Sequence, residues 1–402
     1  MARFAAAVPT EPPSRKRPKA GTSASVSISF QNCAHGPEIA AAPLRPRGRL
    51  GAVTVLALGA LVIPALTSPG QAQTPGKSQD TLMEQARQQF QPIPENPPAL
   101  PGNTATPAKV ALGKMLYFDP RLSASHAISC NSCHNIGLGG VDAEPTSLGH
   151  RWQHGGRNAP TVLNAVFDKS QFWDGRAKDL EAQAGGPIVN PVEMGSPEPH
   201  VAEQLRGIPG YHEAFAKAFP DETDPITLAN VQKAIAVFEA TLITPNAPFD
   251  RYLKGDPNAL SATEKAGLAL FMNKGCAACH NGINVGGATY APFGVVTKPG
   301  ASLLPPDDKG RFMVTKTPGD EYVFKVPSLR NIALTAPYFH TGAAWDLRVA
   351  VSVMGASQLG IHLTPEEVDK IAAFLGSLTG EQPQVTYPML PPSVASTPQP
   401  QP

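Results

Sequence analysis

Four of the five cysteines stand in two copies of one frame, "CNSCHN" at 130–135 and "CAACHN" at 276–281. A C-x-x-C pair by itself serves zinc, disulfide exchange or a structural bridge. Zinc normally asks for four closed ligands, and dithiol redox sites lack the adjoining histidine. The histidine changes the reading. Two thiols three residues apart can add to the two vinyl groups of one haem, and the next residue then presents its imidazole to the iron. The doubled frame predicts two covalently bound haem c groups, attached through Cys130 and Cys133 and through Cys276 and Cys279. Their proximal ligands are then His134 and His280.

The sixth iron position separates an electron carrier from a catalyst. For the second frame the candidates are His340, Met354 and His362, and a thioether among them would raise the reduction potential. For the first frame they are His150 and His154, in "LGHRWQHGGRNAPTVLNA". A lone Met or His is more often packing than ligand, so these residues alone leave the choice open.

Helices must position both frames. "TPAKVALGKMLYFD", with Pro107 near its first turn, precedes the first frame, and "SATEKAGLALFMNKG" precedes the second. The latter has Ser261 and Glu264 as a capping box and Gly275 as terminator. The shared order of helix, loop and cysteine pair implies two related modules. "VQKAIAVFEATLI" and "TPEEVDKIAAFLGSL" are further amphipathic helices, the second capped by Thr364 and Glu367 behind Pro365. Alternating strand patterns are few, so the body reads as mostly helical with long loops.

The chain has 402 residues, 42% hydrophobic and 16% charged, enough to enclose cofactors. Its formal charge is +1, but the first 72 residues hold eight Lys or Arg against two acids, and the remainder carries 25 basic and 30 acidic groups. No polybasic surface for nucleic acid remains. Residues 45–72 have the parts of an export signal: Arg45, Arg47 and Arg49, an apolar run from Leu50 to Leu66, and small residues ending at Ala72. Cys33 lies ahead of it with no lipid-attachment pattern. Residues 73–105, rich in Pro, Gln and Asn, read as an extended arm, and the Pro-rich tail 381–402 reads as disordered or extended.

Two long runs, "SLGHRWQHGGRNAPTVLNAVFDKSQFWDGRAKDLEAQAGGPIVNPVEM" and "VPSLRNIALTAPYFHTGAAWDLRVAVSVMGASQLG", closely resemble the bacterial di-haem cytochrome c peroxidases. The resemblance spans roughly residues 85–380 and includes both haem frames. It implies a mainly α fold of two cytochrome c-like domains, each wrapped around one covalent haem with long loops. Residues 106–245 would hold the low-potential peroxidatic haem and 246–380 the high-potential electron-transfer haem. It also implies a calcium ion between the domains and a periplasmic homodimer. The implied reaction is reduction of hydrogen peroxide to water, with electrons from a small c-type cytochrome or cupredoxin.

Site residues carry over by their matching positions. His150 matches the distal histidine that occupies the sixth site in the oxidised enzyme and must leave before peroxide binds. Met354 matches the axial methionine opposite His280, and His340 a histidine near the propionates. His154 matches no family role. Glu193, in "NPVEM", matches the active-site acid, with Gln183 as its hydrogen-bonding neighbour. Cleaving peroxide requires a group that takes a proton from one oxygen and delivers it to the other, which a carboxylate can do. Without the resemblance Glu193 would read as a solvated loop residue.

Trp173, in "FWDGR", matches the tryptophan between the haems, although a large aromatic is also the default core residue. Asn158 matches a calcium ligand, with Thr335 and Pro337 supplying backbone carbonyls. Asp174 and Arg176 read as structural. The MauG branch of the family, which oxidises residues of another protein, has Tyr where Met354 stands. A pure electron carrier would need neither Glu193 nor Gln183.

Overall fold

The computed structural model describes residues 76–401; the export segment and Cys33 lie outside that range. Twelve α-helices are present among the described residues, besides short 3-10 turns: α1 (Gly76–Gln89), α2 (Pro107–Phe118), α3 (Cys130–Cys133), α4 (Leu180–Val189), α5 (Glu198–Arg206), α6 (Pro209–Ala218), α7 (Leu228–Ala240), α8 (Pro248–Lys254), α9 (Ala262–Asn273), α10 (Phe312–Thr315), α11 (Leu347–Leu359) and α12 (Pro365–Gly376). Strands β1 (Tyr290–Pro292) and β2 (Val323–Lys325) form one antiparallel ribbon with Tyr290 opposite Lys325. The protein is mainly helical with long loops, built as two cytochrome c-like modules.

Local chemistry sets the helix ends. Thr106 accepts a hydrogen bond from the Lys109 amide ahead of α2, with Pro107 in the first turn. At α9 the Ser261 hydroxyl accepts from the Glu264 amide at 3.3 Å and the Glu264 carboxylate accepts from the Ser261 amide at 2.7 Å. Thr364 and Glu367 repeat this box at α12. Such boxes satisfy two amides that the helix itself cannot pair.

Each module pairs the helix before its cysteine frame with a later helix. α2 packs on α7, joined by α4–α6 around Leu112, Leu116, Phe215, Ile235 and Phe238. α9 packs on α12, joined by α8 around Phe249, Phe271, Ile371 and Phe374.

The N-terminal arm differs from its extended expectation, because residues 76–89 form α1. Met83, Ala86 and Phe90 recur at helical spacing, a stripe hidden among glutamines, and bury against Phe249 and Tyr252 of the second module. The arm continues without helix; the Gly282 amide donates to the Gln89 carbonyl at 2.8 Å, and Arg330 donates to the Gln91 carbonyl at 2.9 Å.

The proline-rich tail is extended and docks on the first module. Tyr387 meets Phe118 edge-on at 5.0 Å, Thr397 donates to the Gly207 carbonyl, and the Gln401 amide donates to the Ala124 carbonyl at 2.7 Å. Each end of the described chain thus lies on the opposite module.

Candidate functional site

In the first frame, the Ser129 amide donates to the Ser132 hydroxyl at 3.0 Å and winds Cys130–Cys133 into the single turn α3. His134 follows as its cap, with its carbonyl accepting from the Tyr117 hydroxyl at 2.6 Å. His134 Nδ1 lies 2.9 Å from the Pro160 carbonyl. A carbonyl can only accept, so Nδ1 carries the proton and Nε2 is left as the ligating atom. In the second frame His280 repeats the arrangement, Nδ1 standing 3.3 Å from the Val285 carbonyl.

Burial pushes the His280 pKa down to about 4 and lowers that of His134, which favours the neutral imidazole a metal requires. Burial likewise pushes the Cys133 and Cys276 thiols up to about 11, and Cys130 higher still. Redox-active cysteines need the opposite shift, toward thiolate. No group of three His, Cys, Asp or Glu among the described residues could hold a metal ion. The thiol shifts oppose the dithiol reading and the lack of a closed ligand group among the described residues opposes zinc, and both fit thioether attachment of haem.

Two cavities receive the frames. One is walled by Cys133, His134, Gln183 and Glu193. The other is walled by Cys276, Cys279, His280, His340 and Met354. His362 is exposed, so Met354 on α11 and His340 are the remaining sixth-position candidates in the second cavity. His340 stacks on Phe324 at 4.3 Å with its Nε2 3.7 Å from Asp308, and burial pushes its pKa down to about 4.

Glu193 sits in the loop after α4, where the Asn190 side-chain amide donates to its Oε1 at 2.8 Å. Burial raises its pKa, against the opposing influence of Arg176 and of the Asn190 bond. Gln183 projects from α4 into the same cavity.

His150 is buried but is not among the residues walling this cavity. Its amide donates to the Glu193 carbonyl at 2.7 Å, and its ring lies over Gly195, where an added Cβ would come within 2.8 Å. The next two residues, Arg151 and Trp152, have φ of 57° and 60°, a left-handed conformation costly for side-chain-bearing residues. His150, expected at the sixth position of the His134 haem, stands beside Gly149 and against Glu193, both of which wall the cavity. His154 is exposed, with Nδ1 3.4 Å from the Thr146 hydroxyl.

The two cavities share a wall. Trp173, Phe172 and Asn158 line both. Trp173 donates its indole N–H to the Asn158 carbonyl at 2.9 Å, while the Asn158 side-chain amide donates to the Glu144 carbonyl at 2.9 Å. Thr335 and Pro337 join Asn158 in the second cavity's wall. Asp174, read as structural, accepts from Arg157 at 2.7 Å and from Arg176 at 3.0 Å.

Sequence reasoning missed Arg157, which also pairs with Asp308 at 2.6 Å and so spans the modules. It also missed Glu239, a carboxyl walling the first cavity and 6% exposed. Neither carries a local motif; only the buried position of Glu239 on the apolar face of its helix could have drawn attention.

Fold and frames together define a c-type protein with two haem modules. Residues 107–258 match the family described as Di-haem cytochrome c peroxidase, and 264–379 match Cytochrome c. The chain belongs to the di-haem cytochrome c peroxidase family. It is 56% identical to Cytochrome c551 peroxidase of Pseudomonas aeruginosa over 86% of this chain and 98% of that one. It is 37% identical to the Methylamine utilization protein MauG of Methylorubrum extorquens, over 83% of this chain and 95% of that one. A solved MauG-like protein associated with microbial copper homeostasis superposes with TM-score 0.64 at 27% identity, covering 72% of this chain and 95% of that one.

Proposed function

We propose that the protein is a periplasmic peroxidase that reduces hydrogen peroxide to two waters, taking two electrons from a small c-type cytochrome or cupredoxin and two protons from solvent. The observation that carries this reading is the asymmetry of the cavities. Glu193 and Gln183 wall the one that holds His134. In the one that holds His280 and Met354, the walling carboxylate Asp168 is paired with Lys325. An acid is needed where oxygens exchange protons and is a hindrance where electrons merely enter.

The two haems, held by the cysteine frames, would supply the redox chemistry when bound. The chain's own residues do the rest. Asn190 fixes one Glu193 oxygen and leaves the other for substrate. A raised pKa lets this carboxyl exchange its proton closer to neutrality, taking it from one peroxide oxygen and returning it to the other as the O–O bond breaks. Gln183 can orient the substrate by hydrogen bonding from the same wall. His150 shares a backbone hydrogen bond with Glu193, so withdrawal of the imidazole and placement of the acid are one loop movement. Trp173 provides an aromatic path through the common wall.

Asn158, Thr335 and Pro337 would hold calcium through neutral oxygens, a hard-cation donor set that pins the wall between modules. The family resemblance extends the proposal to a homodimer, which sedimentation of the haem-loaded protein checks.

Substituting Glu193→Gln should lower peroxide turnover with a reduced donor cytochrome by about 10²- to 10⁴-fold while the haem absorption stays unchanged. Undiminished turnover would remove Glu193 from the acid role.

A further inference from the structure

A second polar cluster lies in the first module, away from the two cavity walls. His126 Nε2, His200 Nε2 and both amide atoms of Gln204 are sealed from solvent without a hydrogen-bond partner among the described residues. Gln204 is fully buried, at 0% exposure. His126 lies within electrostatic reach of His200 and is close enough to the Gln204 side chain for a hydrogen bond that favours its protonated form, although burial outweighs it. The remaining charged neighbours of His126 are Asp119 and Arg121, which are paired with each other at 2.6 Å.

The fold assembles this trio deliberately. α5 sets His200 and Gln204 four residues apart, one above the other on a single helix face. His126 arrives from the loop after α2 with φ of 55°, a left-handed conformation that costs energy in a residue with a side chain. Two imidazole Nε2 atoms on half-buried rings, and both polar atoms of a fully buried amide, are sealed without partners, an arrangement that a shared ligand would relieve. Burial favours the neutral form of His126, whose lone pair is then available.

We propose that His126, His200 and the Gln204 side-chain oxygen form a site for one divalent ion of the imidazole-preferring class, represented by zinc, with water completing the coordination. The ion would brace α5 against the loop that leads into Cys130. That loop also touches the active-site segment, since the Ala124 amide donates to the Met194 carbonyl at 2.9 Å, next to Glu193. The site is independent of the peroxidase reading, because none of its three residues walls either haem cavity.

The test uses the haem-loaded full protein, stripped with a chelator and titrated calorimetrically with zinc sulfate. One equivalent should bind, with affinity at least tenfold weaker in His126→Ala and in His200→Ala. Gln204→Glu places a carboxylate in the same position and should bind zinc at least tenfold tighter, with a larger zinc-dependent rise in Tm. Unchanged haem absorption establishes that each variant is folded, and His126→Gln replaces the alanine variant if that one is not. Absence of zinc uptake by the wild type is the signature of a water-filled pocket and overturns the proposal. So does an isotherm that none of the substitutions alters.

Discussion

A carboxyl sealed in an apolar wall resists ionisation, and Glu239 is the clearest instance here. Burial alone pushes its pKa from the usual 4.5 up to about 8. Between those values the unfolded chain has released its proton and the folded chain has kept it, so stability falls as pH rises, by up to about 1.4 kcal/mol per unit. Above the folded value the loss is complete. Glu239→Gln mimics the protonated form: its Tm should match wild type near pH 5 and exceed it at pH 8. Parallel Tm curves across that range would show that the carboxyl is not held protonated by the fold. The cysteine frames were legible in the sequence because haem attachment is chemistry between neighbours in the chain. Glu239 was not, because in "VQKAIAVFEATLI" it is one polar residue on an amphipathic helix, and only packing against α2 and α4 seals it.

At the scale of elements, the two modules repeat one contact. A Cβ added at Gly113 of α2 would stand 1.9 Å from the Ala234 carbonyl of α7 and 2.9 Å from Phe238. One added at Gly267 of α9 would stand 1.9 Å from the Lys370 carbonyl of α12 and 2.9 Å from Phe374. Backbone lies against backbone at both crossings, so no side chain can yield. Gly113→Ala and Gly267→Ala should each destabilise the haem-loaded protein by about 1–3 kcal/mol or more, read from urea denaturation midpoints. An unshifted midpoint in either would mean that its helix pair can separate without loss. Helices with caps and long apolar stripes were readable because both signals are local. α1 escaped because its stripe is thin among Gln and Arg, and β1 and β2 because three residues carry no alternation.

Across the whole molecule, polar groups hold the modules together. Asp168 and Lys325 pair with side chains only 8% and 7% exposed, and Asn284 donates to the same carboxylate at 2.7 Å. Lys325→Met strands a buried charge and should cost about 3–5 kcal/mol, most of which Asp168→Asn in the same chain should restore. A double-mutant cycle in urea measures that coupling, and additive losses would deny the pair its role. Family membership was legible from the two long motif runs, but the arms were not, since proline- and glutamine-rich composition says nothing of where a segment docks. The N-terminal arm seats Met83 and Phe90 in the second module, while the tail lays Tyr387 and Gln401 on the first. Because each haem module is finished by a strap from the opposite end of the chain, neither is a transplantable cassette. A chimera joined at 245/246 would inherit each module with the wrong strap and half of the wall around Trp173 from a stranger. Recombination between relatives should therefore succeed where whole chains, or a module together with the strap that finishes it, are exchanged.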